Sequence, residues 1–200
     1  MNWLAPEDLE RIYGRPSPAA LRKTANQITP DYARMIEASR FCVLATFGPR
    51  GVDASPRGDD GAVARILDPH RIALPDWLGN NRIDSLKNIA ADGHASLMFM
   101  IRGSGNVVRV RGHARLTDDA GLKAAFARDG KEPRTVIVLA VEQVYFQCAR
   151  AIMRSALWAG HDDSGGLPTP GRILAAISKG QIGGRAYDDS WPQRAASTLW

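Results

Sequence analysis

Between Val108 and Leu116 the sequence alternates without a break: Val108, Val110, Gly112, Ala114 and Leu116 share one side, and Arg109, Arg111, His113 and Arg115 share the other. Side chains change face at every residue of an extended chain, so this pattern specifies a strand with one packed face and one cationic face. Just upstream, His94 to Ile101 reads HASLMFMI, which is too apolar for half exposure and predicts a central strand covered on both faces. Two hairpins precede it. Phe41 to Phe47 and Val52 to Arg57 flank a turn at Gly48-Pro49-Arg50-Gly51; Ala64 to Leu67 and Arg71 to Leu74 flank Asp68-Pro69-His70, with Pro75 stopping the second strand. A long strand from Thr135 to Phe146 completes the set.

Helices fall at the flanks and ends. Two short pieces, Pro6 to Tyr13 and Pro18 to Asn26, lead to a helix with Thr29 as cap and Pro30 at its first position, ending near Ser39. Asn81 as cap and Asp84 three residues on open another helix, which places Ile83, Leu86, Ile89 and Ala90 on one face and runs to about Ala91. Further helices are predicted over Asp118 to Arg128, Ala149 to Trp158, and from Thr169-Pro170 to about Lys179, the last in the chain. Six or seven antiparallel strands with flanking helices and no alternating βαβ units specify a mainly β fold, a small antiparallel barrel. The chain reads as a single domain over 1–200, with a helical extension at 1–39 and a helical tail at 149–200; 44% hydrophobic residues suffice for a core without disulfides.

Lys and Arg number 26 against 21 Asp and Glu, a net charge of +5 that favours anionic partners without choosing among them. An aromatic content of 7% offers few stacking platforms, which argues against nucleic acid as the partner. Cys42 and Cys148 sit in apolar runs without CxxC spacing and read as buried thiols of a reducing compartment. With no signal-peptide pattern at the start and no apolar run long enough for a membrane span, the expected setting is cytoplasmic. The four histidines lack metal-ligand spacing, so no metal site is expected.

Three segments carry candidate chemistry. Ser55 and Arg57, two apart at a strand end, point to one side and offer a hydroxyl and a guanidinium to a phosphate. Asn80, Asn81 and Arg82 stand at a predicted helix start, where a cation is disfavoured by the helix dipole unless an anion binds there. Arg150 and Arg154, four apart, stack like charges on one predicted helix face that Trp158 continues, suiting a planar anionic ligand. Each segment has an ordinary structural reading as a solvated or core-packing stretch.

Together the segments resemble the pyridoxamine 5′-phosphate oxidase-like family of FMN-binding split β-barrels. The resemblance runs from about Ile28 to Trp158 and rests on FCVLATFG, SPRGD (Ser55 to Asp59), IALPD followed by GNNRIDSLKNI (Ile72 to Ile89), VVRVRGHARL and VYFQCARAIMRSALW (Val144 to Trp158). It implies an FMN phosphate held by Ser55, Arg57, Asn81 and Arg82, next to Asn80 of the same motif, with the isoalloxazine lying along Ile72 to Asp76 and so against Leu74, Pro75 and Asp76. It also implies a homodimer in which Arg150, Arg154, Ser155 and Trp158 close the partner's site, and an FMN-dependent oxidoreductase acting on a small-molecule substrate. The chain has no His after His161 and so lacks the terminal Arg-x-His of the true pyridoxamine phosphate oxidase. Deazaflavin or haem on the same fold, and a nucleic-acid-binding barrel, are the alternatives.

Overall fold

The computed structural model describes residues 1–200. Seven strands, β1 (Phe41–Gly48), β2 (Gly51–Gly58), β3 (Arg65–Asp68), β4 (Arg71–Asp76), β5 (His94–Met100), β6 (Val107–Thr117) and β7 (Thr135–Gln147), form one antiparallel sheet in the order β2-β1-β5-β6-β7-β4-β3. Around it lie α1 (Pro6–Tyr13), α2 (Pro18–Arg22), α3 (Pro30–Glu37), α4 (Asp84–Ala91), α5 (Ala120–Ala125), α6 (Arg150–Arg154), α7 (Pro170–Ile177), α8 (Arg185–Asp189) and α9 (Trp191–Thr198). No helix is long and apolar enough to cross a membrane.

The sheet curls around a core that includes Leu44, Leu74, Leu97, Phe99, Val110 and Leu139, with Ile36 of α3 and Leu86 and Ile89 of α4 joining it. Its two ends approach without a shared ladder: Arg57 of β2 pairs instead with Asp76 of β4 through side chains. This is the split β-barrel expected from the sequence, and the gap between β2 and β4 is its seam. The alternation in β6 holds through its middle, with Val108, Val110, Gly112 and Ala114 buried and Arg111, His113 and Arg115 exposed, while Arg109 and Leu116 near its ends are both half-buried. A bulge beside it leaves Glu142 opposite no β6 residue, and a Cβ on Gly112 would stand 1.8 Å from the Ala140 carbonyl oxygen, so that register requires glycine.

Several boundaries differ from expectation. Only one face of β5 is fully covered; Ser96, Met98 and Met100 on the other are half-buried in the single chain. Pro75 does not stop β4, because β3 reaches only as far as Ala73 and the strand beyond is an edge that needs no N–H on that side. The α4 helix starts at Asp84 rather than Asn81, α6 covers only five residues of the expected stretch, and α8 and α9 follow the helix thought to be last. Both α2 and α5 are shorter than read.

One thiol departs from expectation as well. Cys42 is buried, and burial pushes its pKa up to about 12, but Cys148 is exposed, and a hydrogen bond from the Arg150 backbone, helped by that residue's side chain, lowers its pKa. Since the thiolate is the reactive form, iodoacetamide at neutral pH should alkylate Cys148 in the folded protein and reach Cys42 only in denaturant. Peptide mapping of the labelled cysteines checks this; modification of native Cys42 would contradict the packing of β1.

Candidate functional site

The seam encloses a cavity of about 690 Å³. One wall is the half-buried face of β2, where Asp53, Ser55 and Arg57 follow one another at period two. The opposite wall is the end of β4 with Pro75 and Asp76, the following loop from Trp77 to Ile83, and Thr135, the first residue of β7, with Arg134 just before it. The start of α4 closes one end. It is fixed to the first hairpin by buried Asn88, whose Nδ2 donates to Thr46 Oγ1 (3.3 Å) and the Gly51 carbonyl (3.2 Å). Gly48 permits that approach, since a Cβ there would lie 2.3 Å from Asn88 Oδ1.

Ion pairs and hydrogen bonds cross the cavity. The Arg57–Asp76 pair is largely shielded, with 18% and 14% of the two side chains exposed. Ser85 of α4 donates its hydroxyl to Asp53 of β2. Asp84 receives Arg82 Nε at 3.0 Å and Arg50 Nη2 at 2.6 Å, and the Arg82 hydrogen bond is the main reason its pKa lies below the usual carboxylate range. Trp77 donates from Nε1 to Asp59 at 3.4 Å, and Arg128 holds the same carboxylate at 3.0 Å. Against Trp77 rests Trp200, edge-on with 5.2 Å between ring centroids, while Leu199 reaches the cavity wall.

Two features mark this cavity as a place for a ligand. Arg57 Nε and Thr135 Oγ1 are buried here without any hydrogen-bond partner, a cost that a bound oxygen-rich anion would remove. Asn81 and Ile83 both adopt left-handed backbone, with φ of 59° and 51°. For a β-branched residue such as Ile83 that is strain, of the kind stored where a loop is held for function.

Of the residues expected at the site, Ser55, Arg57, Pro75, Asp76, Asn80, Asn81 and Arg82 line this one cavity, although they come from segments far apart in sequence. Leu74 does not: it has no exposed surface and packs in the core, two residues before Asp76 on the same face of β4. Arg82 is not in a helix turn but in the loop before α4, where its N–H donates to Asn80 Oδ1 at 3.0 Å. The expectation of one continuous face from Arg150 to Trp158 fails, because the helix ends at Arg154 and Ala156 turns left-handed. Arg150, Arg154, Ser155 and Trp158 lie outside the cavity of their own chain, and Trp158 donates to the Ser104 carbonyl at 2.7 Å in the β5–β6 turn. Sequence reading missed Asp53, Trp77, Ser85, Arg134 and Thr135. Asp53 carried a usable signal, since it continues the period-two row of Ser55 and Arg57.

A split β-barrel with a polar, arginine-lined cavity in its seam is the class these features define. The family model of pyridoxamine 5′-phosphate oxidase matches residues 28–148, and the chain belongs to that family. Among solved structures it is similar to a variant of HupZ from Group A Streptococcus, at 18% identity over 60% of this chain and 99% of that one, with a TM-score of 0.50. It is also similar to the General Stress Protein 26 of Bacillus anthracis (14% identity, 56% of this chain and 88% of that one, TM-score 0.44) and the FAD binding protein of Mycobacterium smegmatis (11%, 62% and 97%, TM-score 0.41). The likeness to HupZ is one of fold. No curated protein matches the sequence.

Proposed function

We propose that this chain binds FMN in the seam cavity and acts as a flavin-dependent oxidoreductase on a small-molecule substrate. The observation that carries the reading is the meeting of Ser55, Arg57, Asn80, Asn81 and Arg82 around one cavity in which Arg57 Nε and Thr135 Oγ1 have no partner. Hydroxyl, amide and guanidinium donors of this kind suit a phosphate, and the buried wall of β4 suits the flat edge of a ring system. Bound flavin supplies hydride transfer at its N5. The chain's part is to hold the phosphate, orient the ring against Pro75 and Asp76, and keep water from the ring face.

A homodimer belongs to the same reading. Phe41, Phe47, Val52 and Phe146 are exposed, and Met98 and Met100 are half-buried, an apolar population that a second copy would cover. In such a dimer Arg150, Arg154, Ser155 and Trp158 reach the partner's cavity rather than their own.

Titrating the purified protein with FMN and with riboflavin tests the proposal. FMN fluorescence should be quenched and its visible absorbance shifted on binding, with affinity for FMN well above that for riboflavin. Unchanged fluorescence and absorbance with both flavins, or a haem-type spectrum in their place, would overturn it.

A further inference from the structure

We infer that Arg134 and Thr135, at the start of β7, complete the anion clamp of the seam cavity, and that Asp76 is an internal counter-ion which the ligand's phosphate displaces from Arg57. The inference rests on the phosphate-binding reading above and adds to it the residues that decide whether an anion is accepted.

Charge accounting leads there. Three guanidiniums line the cavity, those of Arg57, Arg82 and Arg134, and so do three carboxylates, those of Asp53, Asp76 and Asp84. Arg57 is held by Asp76, and Arg82 by Asp84. Asp53 takes a hydrogen bond from Ser85. Arg134 alone has no carboxylate partner; its Nη1 donates to the amide oxygen of Asn81 at 2.9 Å. An entering phosphate therefore meets cations that are already neutralised, and the one uncommitted charge is a residue no sequence motif pointed to.

Position supports the assignment. Asp76 and Thr135 face each other in the β4–β7 ladder, and the Arg134 N–H donates to the Asp76 carbonyl at 3.1 Å. The two orphaned groups, Thr135 Oγ1 and Arg57 Nε, are thus set beside the Arg57–Asp76 pair and the free Arg134 charge. Phosphate oxygens accept from all three donor groups, whereas the ionised Asp76 carboxylate only accepts and repels the incoming charge. Asp76 keeps Arg57 compensated inside the seam and, for the same reason, lowers the affinity for any anion that must replace it.

The test measures binding of FMN, riboflavin and inorganic phosphate to the full-length chain and its Arg134→Gln, Thr135→Val and Asp76→Asn variants. Arg134→Gln should weaken FMN by about tenfold, the loss of one charge-assisted hydrogen bond, and riboflavin by less than about twofold. Thr135→Val should weaken FMN in the same sense. Asp76→Asn should tighten inorganic phosphate several-fold and raise the affinity for FMN relative to riboflavin by a similar factor. Because Arg134 is exposed, its replacement leaves the sheet intact and decides the matter where Asp76→Asn proves unstable. Unaltered FMN binding by Arg134→Gln, or weaker binding of inorganic phosphate by a folded Asp76→Asn, overturns the inference while the flavin reading stands. Phosphate binding that follows the expected order in a protein that takes no flavin does the reverse.

Discussion

Arg57→Ala is expected to weaken FMN by about 1.5 to 3 kcal/mol, a factor of roughly ten to a hundred, and riboflavin far less, because only FMN carries the phosphate that the guanidinium is proposed to hold. The same substitution should destabilise the fold. It leaves the Asp76 carboxylate, 14% exposed, without its partner in the seam, at a cost below the roughly 3 to 5 kcal/mol of fully buried pairs. The two effects separate in the double variant. Adding Asp76→Ala removes the stranded charge and should restore much of the stability, yet FMN affinity stays low because the donor is still missing. Equal losses for FMN and riboflavin would take Arg57 out of the phosphate site, and a double variant no more stable than Arg57→Ala would mean that the ion pair does not close the seam.

Phe99→Ala should have the largest effect on stability of any single core truncation in β5. Phe99 has no exposed surface and stands between Cys42 of β1 and Val108 of β6. Its removal opens a cavity at the centre of the sheet, worth about 3 to 5 kcal/mol. In a chain of this length that lowers the thermal midpoint by roughly 6 to 20 °C. Met98, one residue earlier and on the half-buried face, gives the contrast. Met98→Asp should change the monomer's stability little but shift the molecular mass in solution from dimer to monomer, since a carboxylate would be buried where a second copy is proposed to sit. Calorimetry and sedimentation read the two outcomes. Comparable destabilisation by both substitutions, with no change in mass, would contradict the assignment of faces.

Local signals made most of the sheet legible. The alternation of Val108 to Leu116 and the Gly48 to Gly51 turn each depend on residues that are neighbours in sequence, and the strand and the turn they predict lie within a residue or two of β6 and of the β1–β2 turn. The N-caps Thr29 and Thr169 were likewise readable, because a hydroxyl accepting from an N–H three residues on is a local contact. Elsewhere the deciding partner lay far off in the chain. Pro75 reads as a stop until one sees that β3 does not extend beside it, and Arg82 reads as the first turn of a helix until Ile83 proves to be left-handed. At the site, motifs announced the β2 and loop residues, but Arg134 and Thr135 enter the cavity because of the β4–β7 register, which no window of sequence contains. For β5 the reason is related: an apolar run states that a surface is covered, not whether its own chain or another copy covers it.

The cavity occupies the one line along which the sheet's backbone ladder is interrupted. Parting β2 from β4 there breaks an ion pair and side-chain contacts but no strand-to-strand hydrogen bond, so the barrel has a built-in crease along which it can flex while Phe99 and its neighbours stay packed. The same arrangement separates two demands on the sequence: buried residues such as Leu97 and Val110 specify the container, and a handful of side chains on the lips of the crease specify its contents, so one barrel can be refitted for another guest with its foldability left almost untouched.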